Sequence, residues 1–172
     1  AKAAAKLGAE VILVSGPTHQ TINHNLVQVV PVTSTAQMYK ACHEYYKDVD
    51  VAILSAAVSD YKPKDVAPQK IKKDATTLTL ELTKTQDILA SLGQDKNKQL
   101  LVGFALETNN ELENAKQKLI KKKLDMIVLN SMNDAGAGFG GDTNKITIID
   151  KQENITTFEL KSKAEVAQDI IN

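Results

Sequence analysis

Short apolar runs alternate with segments of helical periodicity along this chain of 172 residues. Runs of about four to eight apolar residues bounded by turn residues are typical of buried strands. Such runs predict strands within residues 10–16, 26–32, 49–57, 99–107, 124–131, 145–150 and 154–160. The segment 77–83, TLTLELT, alternates strictly between polar and apolar positions, which predicts a half-exposed strand.

Helices are predicted between these strands from capping patterns. Ser or Thr followed three residues later by Glu or Gln forms a capping box, which marks the start of a helix. The pattern occurs at Ser34 with Gln37, at Thr108 with Glu111, and at Ser162 with Glu165. Thr85 is predicted to cap a further helix that runs through Leu92, and the helix after Thr108 is predicted to reach about Lys123.

Continuous apolar strands separated by helices predict one α/β domain over residues 1–172, with a mostly parallel sheet and helices on both faces. The last two strands form a predicted antiparallel hairpin at one edge. The opening segment, AKAAAKLGAE, reads as a helix, whereas doubly wound folds usually begin with a strand whose loop binds phosphate. We therefore expect a preceding strand and loop outside this sequence; a fold that begins with a helix is the alternative.

Composition narrows the class of protein. The chain is 42% hydrophobic and 24% charged, with 21 basic and 21 acidic residues, which argues against a nucleic-acid partner. The sparse aromatics and the absence of Trp also disfavour base stacking. Cys42 is the single cysteine, which excludes an internal disulfide and fits a reducing cytoplasmic location. No apolar run approaches the roughly 18 residues of a membrane span.

The loop after the strand at 49–57 carries the first candidate chemistry. Ser55, Ala56 and Ala57 end this strand, and ligands of open α/β sheets bind at such carboxyl ends, where small side chains admit a flat ring. Farther on, Asp60 is a candidate cation ligand and Lys70 a candidate phosphate ligand. The alternative is a solvated turn followed by a solvated lysine cluster.

The segment KTQDIL is a second candidate site. A cap at Thr85 leaves the amides of Gln86, Asp87, Ile88 and Leu89 without helical partners, which predicts an anion site. Asp87 is a candidate to share a magnesium ion with Asp60. The alternative is simple compensation of the helix dipole by an acidic residue.

Lys118 and Lys122 lie four residues apart on a predicted helix, so both project from one face and can grip a triphosphate. An ordinary exposed helix face is the alternative. The sequence GAGFGG, residues 136–141, matches a dinucleotide fingerprint by its letters, but a predicted strand follows it where the fingerprint needs a helix. His19, His24 and His43 do not cluster, so no zinc site is predicted; His43 is interpreted as structural.

Four segments together resemble the phosphopantothenate–cysteine ligase family of coenzyme A biosynthesis: AAVSDYKPKDVAPQKIKK, KTQDIL, VGFALETNN and KKKLDMIVLN. The four segments occur in the same order as in that family, and the similarity covers nearly the whole chain. The resemblance implies a modified Rossmann-like fold and a homodimer. Many members of this family are fused to a flavin-dependent decarboxylase, and no such domain is seen here, so the resemblance implies a stand-alone bacterial form.

The resemblance also implies roles for the candidate residues. The segment matching Leu54 to Ala57 lies along the nucleotide base, Asp60 lies at the nucleotide, and Lys70 acts in the activation step. Further nucleotide-binding positions match Gln86 to Leu89, Phe104, Lys118 and Lys122. The glycine-rich loop and an asparagine that handles the intermediate are expected before Ala1.

The implied reaction joins 4′-phosphopantothenate to L-cysteine through an acyl-cytidylate, with CTP as co-substrate and Mg²⁺ as cofactor, and releases CMP and pyrophosphate. The sequence itself does not choose CTP over ATP. A nicotinamide-dependent oxidoreductase is one alternative, although the sequence has no Tyr-x-x-x-Lys pair and no true glycine fingerprint. A non-catalytic nucleotide-binding module is the other.

Overall fold

A computed structural model describes residues 1–72, 76–131 and 141–172. Its helices are α1 Lys2–Lys6, α2 Thr35–Tyr46, α3 Ile88–Asp95, α4 Glu111–Lys121 and α5 Lys163–Ile171. Its strands are β1 Val11–Ser15, β2 Val27–Pro31, β3 Val51–Leu54, β4 Tyr61–Pro63, β5 Leu82–Lys84, β6 Leu100–Glu107, β7 Met126–Ser131, β8 Thr143–Asn144, β9 Ile146–Asp150, β10 Ile155–Thr157 and β11 Lys161–Ser162. No helix within these ranges is both long and apolar enough to cross a membrane.

The central sheet of the described chain has the strand order β10-β9-β7-β6-β3. Strands β3, β6 and β7 are parallel, whereas β9 and β10 add an antiparallel hairpin at the far edge. β1 and β2 form a separate parallel pair. The predicted α/β fold, with its mostly parallel sheet and its edge hairpin, is confirmed.

Both faces of the central sheet are covered, because successive residues of a strand point to opposite faces. In β7, Ile127 packs in a core with residues of α3 and α4. Its neighbour Val128 packs in a second core with Val166 of α5. Helices therefore flank the sheet on both sides, which is why its strands read as continuous apolar runs.

β1 and β3 each have one edge without a strand partner in the described part of the chain. A single groove runs between them and is lined by residues 12–14 and 51–54. Within it, Val51 and Ile53 of β3 remain 48% and 39% exposed, although parallel strands are normally buried on both sides. The groove is consistent with a further parallel strand at this position, which stays a prediction.

Two predicted helix starts are wrong by a few residues. α3 is capped by Asp87, whose side chain accepts a hydrogen bond from the Ala90 amide, and not by Thr85. The Thr85 hydroxyl instead donates to the carbonyl of Ser59. α4 begins after Asn110, which has a left-handed backbone and no side-chain capping bond, so the observed N-cap lies two residues beyond the predicted cap at Thr108.

The other two capping predictions hold. Ser162 and Glu165 form a complete capping box at α5. Ser34 accepts a hydrogen bond from the Gln37 amide at α2, while the Gln37 side chain accepts from Thr33 and not from Ser34 itself. The prediction for residues 77–83 is only partly right, because the strand β5 begins at Leu82 and pairs with the short β4 alone.

Close backbone packing fixes α3 against the end of α4. A Cβ atom placed on Gly93 of α3 would lie 2.0 Å from the carbonyl oxygen of Lys122. A Cβ atom on Gly103 of β6 would lie 2.8 Å from side-chain atoms of both Leu89 and Leu124. At Gly93 a side chain would collide with backbone, whereas at Gly103 the two leucine side chains would have to move. The two glycines together let α3 lie close to both the sheet and α4.

We expect Gly93→Ala to lower the free energy of unfolding by about 3 kcal/mol, because the added methyl group meets rigid backbone and not a flexible side chain. Chemical denaturation measures this change. Gln94→Ala is the matched control: it is exposed on the same helix, and its effect is expected to stay within about 0.5 kcal/mol. Equal stability of Gly93→Ala and the wild type would contradict the packing.

Candidate active site

A cleft of about 560 Å³ opens at the carboxyl ends of β3 and β6 and continues into the groove between β1 and β3. It collects every candidate site residue of the sequence except Lys70. These residues are Leu54, Ser55, Ala56, Ala57, Asp60, Gln86, Asp87, Ile88, Leu89, Phe104, Lys118 and Lys122. Segments far apart in the chain thus share one concave surface, which is the expected form of a small-molecule site.

The hairpin of β4 and β5 brings Asp60 next to the start of α3. The chain leaves β3, passes Asp60 into β4, and returns through β5 to Thr85. The amide of Thr85 donates to the carbonyl of Asp60 over 2.9 Å, and the hydroxyl of Thr85 donates to Ser59. A loop that is distant in sequence therefore becomes the neighbour of Gln86 and Asp87.

Asp87 and Lys122 form the main ion pair of the cleft, with Lys122 Nζ 2.8 Å from Asp87 Oδ2. Burial disfavours the charged form of Asp87. The hydrogen bonds from Lys122 and from the Ala90 amide, and the charges of Lys122 and Lys118, outweigh burial and lower its pKa. Lys122 is only 18% exposed along its side chain, so its ammonium group is held in a defined position.

The contacts that Asp87 makes affect its use as a ligand in the predicted magnesium site. Asp87 already contacts Lys122 with both oxygens and caps α3 with one of them. Among the residues that the structure describes, no group of three or more His, Cys, Asp or Glu side chains could enclose a metal ion. Mg²⁺ is nevertheless often held by one or two carboxylates together with substrate phosphates. Asp60 fits that role better than Asp87, and magnesium binding stays a prediction.

Lys70 lies apart from the other candidates. It is exposed on the segment between β4 and β5 and does not line the cleft. Its neighbour Lys73 lies outside the described residues, as do residues 136–140 of the glycine-rich segment. The convergence expected for the lysines is therefore observed for Lys118 and Lys122 and not for Lys70.

A second cavity of about 620 Å³ adjoins the cleft and was missed by sequence reasoning. Its walls are the turn at Gly16 and Pro17 after β1, the start of α2, and the loop after β3. Ala56, Ala57, Val58 and Met38 line both spaces. The available signal was the Gly-Pro turn at the carboxyl end of a parallel strand, where α/β folds place ligands.

His43 joins α2 to α3. Its Nε2 lies 2.9 Å from the hydroxyl of Ser91, and its Nδ1 lies 3.2 Å from Asp95 Oδ2. The contacts among Ser91, His43 and Asp95 resemble those of a hydrolase triad. However, Ser91 also donates to the Ile88 carbonyl within α3, and none of the three residues lines either described cavity. The arrangement supports the interpretation of His43 as structural.

Comparisons with known proteins agree with this architecture. The family model of the DNA/pantothenate metabolism flavoprotein C-terminal domain matches residues 1–172. A relative named cysteine/cysteine sulfinic acid decarboxylase, from an unknown prokaryotic organism, is 53% identical over 99% of this chain and 48% of its own length. The coenzyme A biosynthesis bifunctional protein CoaBC of Bacillus subtilis (strain 168) is 44% identical over 99% of this chain and 42% of its own length.

A crystal structure of the C-terminal domain of a coenzyme A biosynthesis bifunctional protein CoaBC superposes with a TM-score of 0.80 at 41% identity. The match covers 98% of this chain and 74% of that one. The chain spans about half the length of the curated relatives it matches, so a stand-alone form stays a prediction. Since the family model covers the whole sequence and the fold agrees, the chain belongs to the DNA/pantothenate metabolism flavoprotein C-terminal domain family.

Proposed function

We propose that this domain is a phosphopantothenate–cysteine ligase that activates the carboxylate of 4′-phosphopantothenate with CTP. One observation carries the proposal: two lysines, the Asp60 carboxylate and a loop of small residues line the same cleft at the sheet edge. A nucleotide needs such a set, since its phosphates require cations and its base requires a surface without bulky side chains. The resemblance places nucleotide contacts at these same positions.

In the first step, a carboxylate oxygen of 4′-phosphopantothenate attacks the α-phosphorus of CTP. The new O–P bond forms as the bond to the bridging oxygen breaks, and pyrophosphate leaves with the electron pair. Lys118 and Lys122 hold the triphosphate so that attack and departure are in line. Charge that develops on the phosphate oxygens is stabilised by their ammonium groups, which is the largest catalytic term in many enzymes.

In the second step, the amine of L-cysteine attacks the carbonyl carbon of the acyl-cytidylate. The amide bond forms, the bond from that carbon to the phosphate oxygen breaks, and CMP leaves. The proton lost by the amine passes to solvent. The adjoining cavity of about 620 Å³ meets the cleft at Ala56 and Ala57, which gives a second substrate a place beside the nucleotide.

Bound Mg²⁺ would neutralise charge on the triphosphate, and Asp60 is the residue proposed to hold it. The contacts of Asp87 support another role for that residue, which is to hold Lys122 in place before the nucleotide arrives. A cytoplasmic location and a homodimer remain part of the proposal. The decarboxylase name of one relative belongs to a protein about twice as long and is not carried to this domain.

The ligase proposal is tested by supplying 4′-phosphopantothenate, L-cysteine and Mg²⁺ to the intact protein with CTP or with ATP. We expect equimolar CMP, pyrophosphate and 4′-phosphopantothenoylcysteine with CTP, measured by chromatography and mass spectrometry. Product from ATP at an equal rate would contradict the choice of CTP. Nucleotide binding without any pyrophosphate would indicate a non-catalytic nucleotide-binding module.

The two cleft lysines should control nucleotide affinity. We expect Lys118→Gln and Lys122→Gln each to raise the Kd for CTP about tenfold or more, because each removes a charge-assisted hydrogen bond to phosphate. Isothermal titration calorimetry measures this effect. Lys121→Gln is the matched control, since Lys121 belongs to the same last turn of α4 but does not line the cleft. An equal effect of all three substitutions would contradict a specific phosphate contact.

Lys70 is proposed to act in the activation step. Because it lies outside the cleft, this role requires the segment after β4 to fold over the bound nucleotide. We expect Lys70→Gln to bind CTP normally while pyrophosphate release falls at least about 100-fold, the usual loss when a charge-stabilising donor is removed. Lys72→Gln, on the same exposed segment, is the control and should keep its rate. Wild-type pyrophosphate release by Lys70→Gln would refute the role.

A further inference from the structure

The loop that carries Asp60 is held in place by hydrogen bonds more than by packing. Val58, just before the loop, packs against the core. Ser59 and Asp60 are exposed, and so is every residue of β4, the strand that follows. Among the described strands β4 pairs with β5 alone, and a two-stranded hairpin is marginally stable by itself. The position of the Asp60 carboxylate therefore depends on the bonds that tie this loop to the rest of the domain.

Thr85 supplies two of these bonds. Its hydroxyl donates to the carbonyl of Ser59, and its amide donates to the carbonyl of Asp60 over 2.9 Å. A third bond lies within the loop, where the Ser59 hydroxyl donates to the Tyr61 carbonyl over 2.7 Å. Every residue except proline provides an amide, whereas a short side chain with a hydroxyl donor is specific to Ser and Thr. The bond to Ser59 is thus the contact that requires this residue type at position 85.

Two residues later, Asp87 makes a corresponding contact to the lysine side of the cleft. Its carboxylate lies 2.8 Å from Lys122 Nζ. Residues 85–87 therefore contact the Asp60 loop at one end and Lys122 at the other. Two residues of extended chain span at most about 7 Å. This short segment keeps the proposed cation ligand and a proposed phosphate ligand close together, although they are far apart in the sequence.

We propose that Thr85 is a positioning residue for the binding of CTP with Mg²⁺: its hydroxyl fixes the loop so that the Asp60 carboxylate meets the cation that accompanies the nucleotide. The inference rests on the proposed function, in which Asp60 holds that cation and Lys118 and Lys122 bind the phosphates. Mg²⁺ demands near-ideal octahedral geometry and is usually held by one or two carboxylates together with substrate phosphates. A carboxylate whose loop moves would lose much of its affinity for such a cation.

The first test needs no ligand. Thr85→Val keeps a similar side-chain shape without the hydroxyl, and Thr85→Ser keeps the hydroxyl. In the nucleotide-free protein, we expect amide hydrogen exchange across residues 59–62 to be about fivefold faster in Thr85→Val, the order of change that one hydrogen bond gives. Thr85→Ser should resemble the wild type. Thr83→Val is the matched control, because it makes the same chemical change at an exposed position of β5. Unchanged exchange in Thr85→Val would overturn the positioning role.

The second test measures the Kd for CTP by calorimetry with and without Mg²⁺. We expect Mg²⁺ to tighten binding to the wild type. Thr85→Val should lose about tenfold of that gain, as when a metal ligand loses its support, while its Kd without Mg²⁺ stays within about twofold of the wild-type value. Thr85→Ser and Thr83→Val should keep the full gain. An equal loss with and without Mg²⁺ would indicate a general distortion of the cleft and would overturn the proposal.

Two further measurements separate the possible failures. Thr85→Val and a second hydroxyl-free variant, Thr85→Ala, should unfold within about 4 °C of the wild type, since each lacks only one hydrogen bond at a half-buried position. Wild-type CTP binding that does not respond to Mg²⁺ would overturn the inference and leave nucleotide binding intact. A wild type that binds no CTP would overturn the proposed function, and hydrogen exchange would still decide whether Thr85 positions the loop.

Discussion

The contact between α3 and the end of α4 determines the geometry of the candidate site. Gly93 brings the backbone of α3 against the carbonyl of Lys122, at a distance that no side chain would permit. At the other end of α3, the Asp87 carboxylate reaches the ammonium group of the same Lys122. Lys122 is thus held against α3 both by its main-chain carbonyl and by its side-chain ammonium group. Gly103 completes the arrangement by letting Leu89 lie on the sheet.

This packing explains the electrostatic character of the cleft. Lys118 belongs to the last turn of α4 and Lys122 is its C-cap, where the helix dipole favours cations. Asp87 lies close enough to both lysines for their charges to contribute to lowering its pKa. In the proposed reaction, an incoming phosphate would share or replace the carboxylate, and the lysines would not need to be reorganised from solvent. Preorganisation of this kind reduces the entropy lost on binding.

The hairpin of β4 and β5 relates the site to the surface of the molecule. Its base holds Asp60 beside the start of α3 through the bond between Thr85 and Asp60. Its outer part carries Lys70 together with the exposed leucines. The same hairpin segment thus combines a residue already in the cleft with a residue proposed for catalysis.

Much of the fold follows from local pattern, since burial on both faces of a parallel sheet requires continuous apolar strands. The capping box of Ser162 and Glu165 could also be predicted from the sequence, because both partners lie within one helical turn. The start of α3 could not be predicted in this way, because Thr85 and Asp87 are both good N-cap residues. The hydrogen bond from the Thr85 hydroxyl to the Ser59 carbonyl decided between them. The same limit applies to the segment TLTLELT. Its alternation predicts a strand, but the pattern does not identify the strand with which it pairs.

The sequence by itself determined the fold class and the set of residues that carry charge, because those depend on hydrophobic period and on residue type. Only the tertiary structure decided which charges meet. It paired Asp87 with Lys122, placed Asp60 in the same cleft, and kept Lys70 outside it. The reason is that contacts between distant segments depend on the strand order and on helix packing at Gly93 and Gly103, which no local pattern encodes.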